Sequence, residues 1–141
     1  MLIIGGGPIG INCALEAQKN QLSYVVIERG TIVNSLYHYP LYMRFFSTAD
    51  KLEIADIPFI CAAPKPGRQE ALEYYQGIAR QKQINIHLYE NVIGIRKKDS
   101  FFEVKTSKAQ YRAKNVVIAT GFYDIPNKMN VPGESLPKVM H

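Results

Sequence analysis

The chain has 141 residues, 47% of them hydrophobic, which suits one globular domain with a packed core and excludes a disordered or fibrous class. Its 17 Lys and Arg against 12 Asp and Glu give a net charge of +5, yet the basic residues are scattered, with Arg96-Lys97-Lys98 the one compact run. That run stands just before the turn-like pair Asp99-Ser100 and reads as a solvated hairpin end, so no nucleic-acid partner is expected.

No apolar run approaches the roughly 20 residues of a membrane-spanning helix, and the first residues lack the basic segment and cleavage site of a secretory signal. A soluble, cytoplasmic protein is expected, with no membrane partner. Cys13 and Cys61 form neither a CxxC pair nor a ligand cluster, and His38, His87 and His141 are dispersed. No disulfide framework, metal site or histidine-based dyad is therefore expected.

Leu2-Ile3-Ile4 and Tyr24-Val25-Val26-Ile27 are short apolar runs of the kind found in parallel strands buried on both faces. Between them Ile11, Ala14, Leu15 and Gln18 recur at helical spacing, with Cys13 and Ala17 beside them, until the polar Lys19-Asn20-Gln21. Strand, helix and strand make a βαβ unit with a right-handed crossover.

Residues 29 to 66 show no sustained periodicity but are rich in aromatics, including Tyr37, Tyr39, Tyr42, Phe45, Phe46 and Phe59. A structureless loop of this length points to function, such as a ligand lid or a partner surface. From Arg68 to Gln83, Ala71, Leu72, Tyr75, Ile78 and Ala79 form an apolar stripe on an amphipathic helix that Gly77 weakens. Ile84–Tyr89 is a third strand candidate. Three short antiparallel strands follow at Val92–Arg96, Phe101–Thr106 and Gln110–Ala113, with Ile93, Ile95, Phe102, Val104 and Tyr111 alternating. Val116–Ala119 returns to the parallel sheet and ends at Thr120-Gly121. The segments Ile125-Pro126 and Val131-Pro132-Gly133 look extended and linker-like.

Gly5-Gly6-Gly7-Pro8-Ile9-Gly10 satisfies G-x-G-x-x-G in the context that gives the spacing its meaning, after a strand and opening a helix. Gly5 permits the tight turn, Gly7 lets a pyrophosphate approach the backbone, and Gly10 lets helix and strand pack closely. The helix N-terminus directs free N–H groups and a positive dipole at the phosphates, and Pro8 loses nothing at a first helical position. Glu28 ends the second strand where a carboxylate accepts bonds from a ribose and repels a 2′-phosphate, which argues against NADP in this site. The bland alternative is an ordinary strand-to-helix turn with Glu28 as a solvated strand end.

The meander followed by Val116-Val117-Ile118-Ala119-Thr120-Gly121 resembles the two-dinucleotide-binding flavoproteins rather than simple NAD domains, which continue with plain βα repeats. Further stretches are similar to the bacillithiol disulfide reductase family, a thioredoxin-reductase-like group of NADPH-dependent FAD enzymes. They are Asn34–Pro40, Phe45–Ile54, Ile57-Pro58-Phe59, Arg68–Leu72 with Tyr74-Tyr75, and Ala119–Asp124. The resemblance covers essentially the whole chain, and Asn34–Pro40 and Phe45–Ile54 are its most specific parts.

The fold it implies is α/β: a Rossmann-like FAD-binding domain whose parallel sheet is joined by a three-stranded antiparallel meander. Residues 1–125 would form this domain, incomplete, and 126–141 an extended linker toward an NADPH-binding domain that the chain does not contain. Gly5, Gly7 and Gly10, with Pro8 and Ile9 in the same loop, would bind the pyrophosphate. Glu28 would take the ribose with Arg29 beside it, the backbone near Val92 the adenine, and Thr120-Gly121 the inner side of the flavin. Tyr39, Pro40, Phe46 and Ser47 would border the isoalloxazine ring. The parent protein would reduce a small-molecule disulfide with NADPH through FAD, and a homo-oligomer is compatible with that activity.

The family often carries a cysteine after Gly-Gly-Gly-Pro, and here that position is Ile9. Cys13, one helical turn on, is the candidate catalytic thiol, against the alternative of a packed apolar cysteine. Cys61 is expected to be structural. A flavin-dependent monooxygenase fragment and a non-catalytic dinucleotide-binding module are the competing functional readings.

Overall fold

A computed structural model describes residues 1–123, 125 and 127–139. Asp124, Pro126 and His141, named above, lie outside the described residues. The order of elements is β1 (Leu2–Ile4), α1 (Pro8–Lys19), β2 (Val25–Ile27), α2 (Asn34–His38), a 3-10 turn (Ala49–Leu52), α3 (Arg68–Gln81), β3 (Ile86–His87), β4 (Val92–Lys97), β5 (Phe102–Thr106), β6 (Gln110–Ala113) and β7 (Val116–Ile118). One sheet runs β3-β2-β1-β7 with every pairing parallel, and the second is the antiparallel meander β4-β5-β6.

The pleat of β1 explains why two layers cover this sheet. Ile3 and Val26 point into a core shared with Ile11, Ala14 and Leu15 of α1 and with Ala71, Tyr75, Ile78 and Ala79 of α3. Leu2, Ile4 and Ile27 point the other way, onto Val104 and Ala113 of the meander. Successive strand residues face opposite sides, so an uninterrupted apolar run is what a doubly covered strand requires. Each fully buried side chain of this kind, such as Ile3 or Ile11, contributes about 1.5–3 kcal/mol relative to exposure.

α3 buries the five residues of its expected stripe. Its start is fixed by Glu70, whose carboxylate accepts from the N–H groups of Gly67 at 2.7 Å and Ala62 at 3.0 Å. Those two bonds hold the Glu70 carboxyl below its ordinary value.

Three expectations need correction. The segment 29 to 66 is not structureless, because it contains α2 and the 3-10 turn. α2 starts from Val33 in the left-handed region, φ 53°, and its last carbonyls accept from Arg68: Leu36 O from Nε at 3.1 Å, and Tyr37 O from Nη2. These partners are more than 30 residues away, so local periodicity could not announce the helix. The third strand shrinks from Ile84–Tyr89 to Ile86–His87, since Tyr89 turns the chain with φ 55°. In β4 the alternation fails: Ile93 is 61% and Ile95 38% exposed, and the pairing with β5 shifts between Val92 and Gly94. Glu28 is 6% exposed, so the alternative of a solvated strand end does not hold.

Candidate dinucleotide-binding cleft

At the C-terminal edge of the parallel strands the structure opens a cleft of about 790 Å³, within the range of small-molecule and cofactor sites. Gly5, Gly7, Pro8 and Ile9 line it from the β1–α1 loop, Glu28 and Arg29 from the end of β2, Val92 from β4, Tyr39 from the aromatic segment, and Thr120 and Gly121 from the stretch after β7.

The two outer glycines of the loop are fixed by the chain's own backbone. Gly5 has φ +106°, and a Cβ there would lie 2.3 Å from Ala119 O; at Gly10 a Cβ would lie 1.9 Å from Gly5 O. Loop, helix and return strand are thus in direct backbone contact, which brings Thr120-Gly121 beside the glycine loop. Gly7 is different, since a Cβ there meets nothing within 4 Å. α1 also begins without any side-chain cap, so its first N–H groups are left for an acceptor in the cleft.

Glu28 braces the loop from the opposite side. Its Oε2 accepts from Gly6 N–H at 2.6 Å and its Oε1 from Gly30 N–H at 2.8 Å. A carboxylate has about four lone-pair sites, so each oxygen keeps capacity for one ribose hydroxyl. The residues present therefore fit a dinucleotide: bare backbone at Gly7, an uncapped helix N-terminus, and a buried acid in the same cleft.

At the other end Tyr39 meets Tyr123 edge-on, ring centroids 4.3 Å apart, and Phe45 at 6.2 Å. Burial, helped by Tyr123, pushes the Tyr39 hydroxyl above its ordinary value. Pro40, Phe46 and Ser47 are not among the residues lining the cleft, and Phe46 is 94% exposed. Cys13 is half-buried against the main core and does not line the cleft either, although Ile9, one turn earlier, does. Cys61 is also half-buried, and its thiol donates to Ala63 O at 2.9 Å.

Sequence reasoning missed several lining residues: Asn34 and Ser35 of α2, Lys51 and Glu53 near the 3-10 turn, and Glu90-Asn91 before β4. Glu90 is 3% exposed. Burial would raise its carboxyl, but hydrogen bonds from Thr106 and Tyr111, with His87 and Lys108 nearby, hold it below the ordinary value. The one available signal was an isolated acid just before a strand, too common to single out. Among the described residues no group of His, Cys, Asp or Glu could hold a metal, and no helix is long and apolar enough to cross a membrane.

A glycine loop opening a helix, an acid closing the second strand and a return strand against that loop define a Rossmann-like dinucleotide-binding domain. The chain belongs to the pyridine nucleotide-disulphide oxidoreductase family, whose model matches residues 2–141. It is 45% identical to bacilliredoxin reductase Bdr of Bacillus subtilis over 99% of its length, and covers 44% of that protein. It superimposes on the bacillithiol disulfide reductase Bdr of Staphylococcus aureus with a TM-score of 0.89 and 39% identity, over 96% of this chain and 42% of that one. For the enzyme of the same title from Bacillus cereus the values are 0.88 and 45%, over 96% and 44%. The chain thus spans less than half the length of the relatives it matches.

Proposed function

We propose that the cleft holds FAD and that the chain is the FAD-binding part of an oxidoreductase passing electrons from NADPH to a low-molecular-weight, bacillithiol-type disulfide. The observation that carries this reading is the convergence of Gly7, Glu28 and Thr120-Gly121 on one cleft, in a chain 45% identical to bacilliredoxin reductase. The cofactor would supply the electron-transfer chemistry, and the chain supplies binding, orientation and electrostatics.

On this reading the bare backbone at Gly7 and the first turn of α1 take the pyrophosphate. Glu28 takes the adenosine ribose, and its charge favours FAD over a nucleotide with a 2′-phosphate. Tyr39, which lines the cleft, would border the isoalloxazine ring. Residues 1–125 would be the FAD unit, and 126–141 the lead toward the NADPH-binding portion of a longer protein. A disulfide reductase works in a reducing compartment, which agrees with two unpaired cysteines and a cytoplasmic location.

Titrating the purified chain with FAD tests the cofactor assignment: saturable quenching of flavin fluorescence is expected, and its absence overturns the assignment. For the activity, the full-length protein given NADPH should consume bacillithiol disulfide; NADPH-dependent oxygen uptake without disulfide reduction would overturn it in favour of a monooxygenase.

A further inference from the structure

Glu90 sits between the two sheets with no assigned role. Its carboxylate Oε1 lies 2.5 Å from Thr106 Oγ1 and accepts from Tyr111 OH at 2.9 Å, both on the meander. His87 Nδ1 is 2.9 Å from that same tyrosine oxygen, so a chain of hydrogen bonds runs from β3 through β6 into Glu90. Around it the chain is stitched to the β5–β6 turn, with Asn91 N–H bonded to Ser107 Oγ at 3.0 Å and Lys108 Nζ to Leu88 O at 2.9 Å.

The backbone of this same segment grips the ribose acid. Glu28 N–H donates to His87 O at 2.9 Å, Glu90 N–H donates to Glu28 O at 2.9 Å, and Tyr89 N–H donates to Gly30 O at 3.1 Å. Residues 87 to 90 therefore embrace Glu28, and the Glu90 carboxylate is the buried member of the set of bonds that fastens them to the meander. A buried carboxylate is costly unless fully bonded, so its presence here fixes one arrangement of the segment.

We propose that Glu90 is a positioning residue for the nucleotide, setting the ribose end of the cleft by locking the 87–90 segment, and through it Glu28, onto the meander. This rests on the FAD reading above. Because Glu90 acts at the adenosine end, its loss weakens FAD and ADP by the same factor.

The test compares the purified chain with Glu90→Leu, Glu90→Gln and Tyr111→Phe variants, using FAD and ADP as probes, with urea unfolding to establish that each is folded under the titration conditions. Glu90→Leu is expected to weaken both probes on the order of tenfold, and Tyr111→Phe severalfold. Glu90→Gln, whose amide oxygen still accepts both hydroxyls, should stay within about twofold. A merely structural role would shift the unfolding midpoint without moving the Kd of the folded chain. Should Glu90→Leu fail to fold, Tyr111→Phe decides, since it removes one hydroxyl and leaves no large cavity. Unchanged affinity in the folded variants, or Gln losing as much as Leu, overturns the proposal while leaving the FAD reading intact. Failure of the wild-type chain to bind either probe overturns both.

Discussion

The two ends of the cleft are built from different materials. The phosphate end is backbone: Gly5, Gly10 and Ala119 in direct main-chain contact, with Glu28 bonded to the N–H groups of Gly6 and Gly30. The opposite end is side chains carried on irregular chain, where Tyr39 leans on Tyr123 and Phe45. The difference teaches that the first end tolerates almost no change of shape, whereas the second rests on contacts between half-buried rings that a substitution can alter without moving the main chain.

The sharpest way to break this contrast is at Gly10. An alanine there puts a Cβ 1.9 Å from Gly5 O, so helix and loop must separate. We expect Gly10→Ala to cost about 3 kcal/mol or more, read as a lower urea midpoint. A loss of under about 0.5 kcal/mol would show that the loop is far more compliant than its contacts imply.

Next in size is Glu28→Ala, which leaves the Gly6 and Gly30 N–H groups without their acceptor. An expected loss of roughly 2–3 kcal/mol follows from the cost of stranding donors in a buried site. Equilibrium unfolding would measure it, and a neutral result would mean that water replaces the carboxylate at both positions.

This contrast also governed what could be read from the residues alone. The βαβ unit was legible because its periodicity, its glycine spacing and its terminal acid are all local in sequence. The apolar stripe of α3 was legible for the same reason. The aromatic segment was not: α2 depends on Arg68, more than 30 residues on, and the antiparallel bridge between Arg44 and Gly67 also joins stretches far apart in the chain. Phe46 was assigned to the ring border by resemblance alone, and the sequence carries no local signal for whether its side chain faces the cleft or solvent. Glu90 escaped for a related reason, as its hydroxyl partners Thr106 and Tyr111 reach it only through the meander.

Tyr75 lines the cleft from α3 and donates its hydroxyl to Leu52 O at 2.7 Å. Tyr75→Phe should cost about 1 kcal/mol near neutral pH. Burial, with Tyr74 adding to it, pushes the Tyr75 hydroxyl up from 10.0 to about 12. The folded chain then keeps this proton to higher pH than the unfolded chain does. Its stabilisation is complete below pH 10.0 and is lost as the pH climbs through about 12. Urea unfolding across that window should show a shallower alkaline decline in the Phe variant; parallel declines would assign the slope to other groups.

The smallest effect belongs to one of the exposed members of the aromatic segment. Phe46 is 94% exposed, so Phe46→Ala should change stability by less than about 0.5 kcal/mol. If FAD affinity also stays unchanged, the ring end of the cleft excludes Phe46; a clear loss would show that the segment closes over the ligand.

Gly7 carries a consequence of its own. Its extended backbone, φ −78°, suits any residue, and a side chain there would stand in open space. Variants of this chain selected only for being folded would therefore drift freely at position 7 while holding Gly5 and Gly10, whereas selection for nucleotide retention would hold all three. One library read under two selections would separate what this glycine motif owes to architecture from what it owes to its ligand.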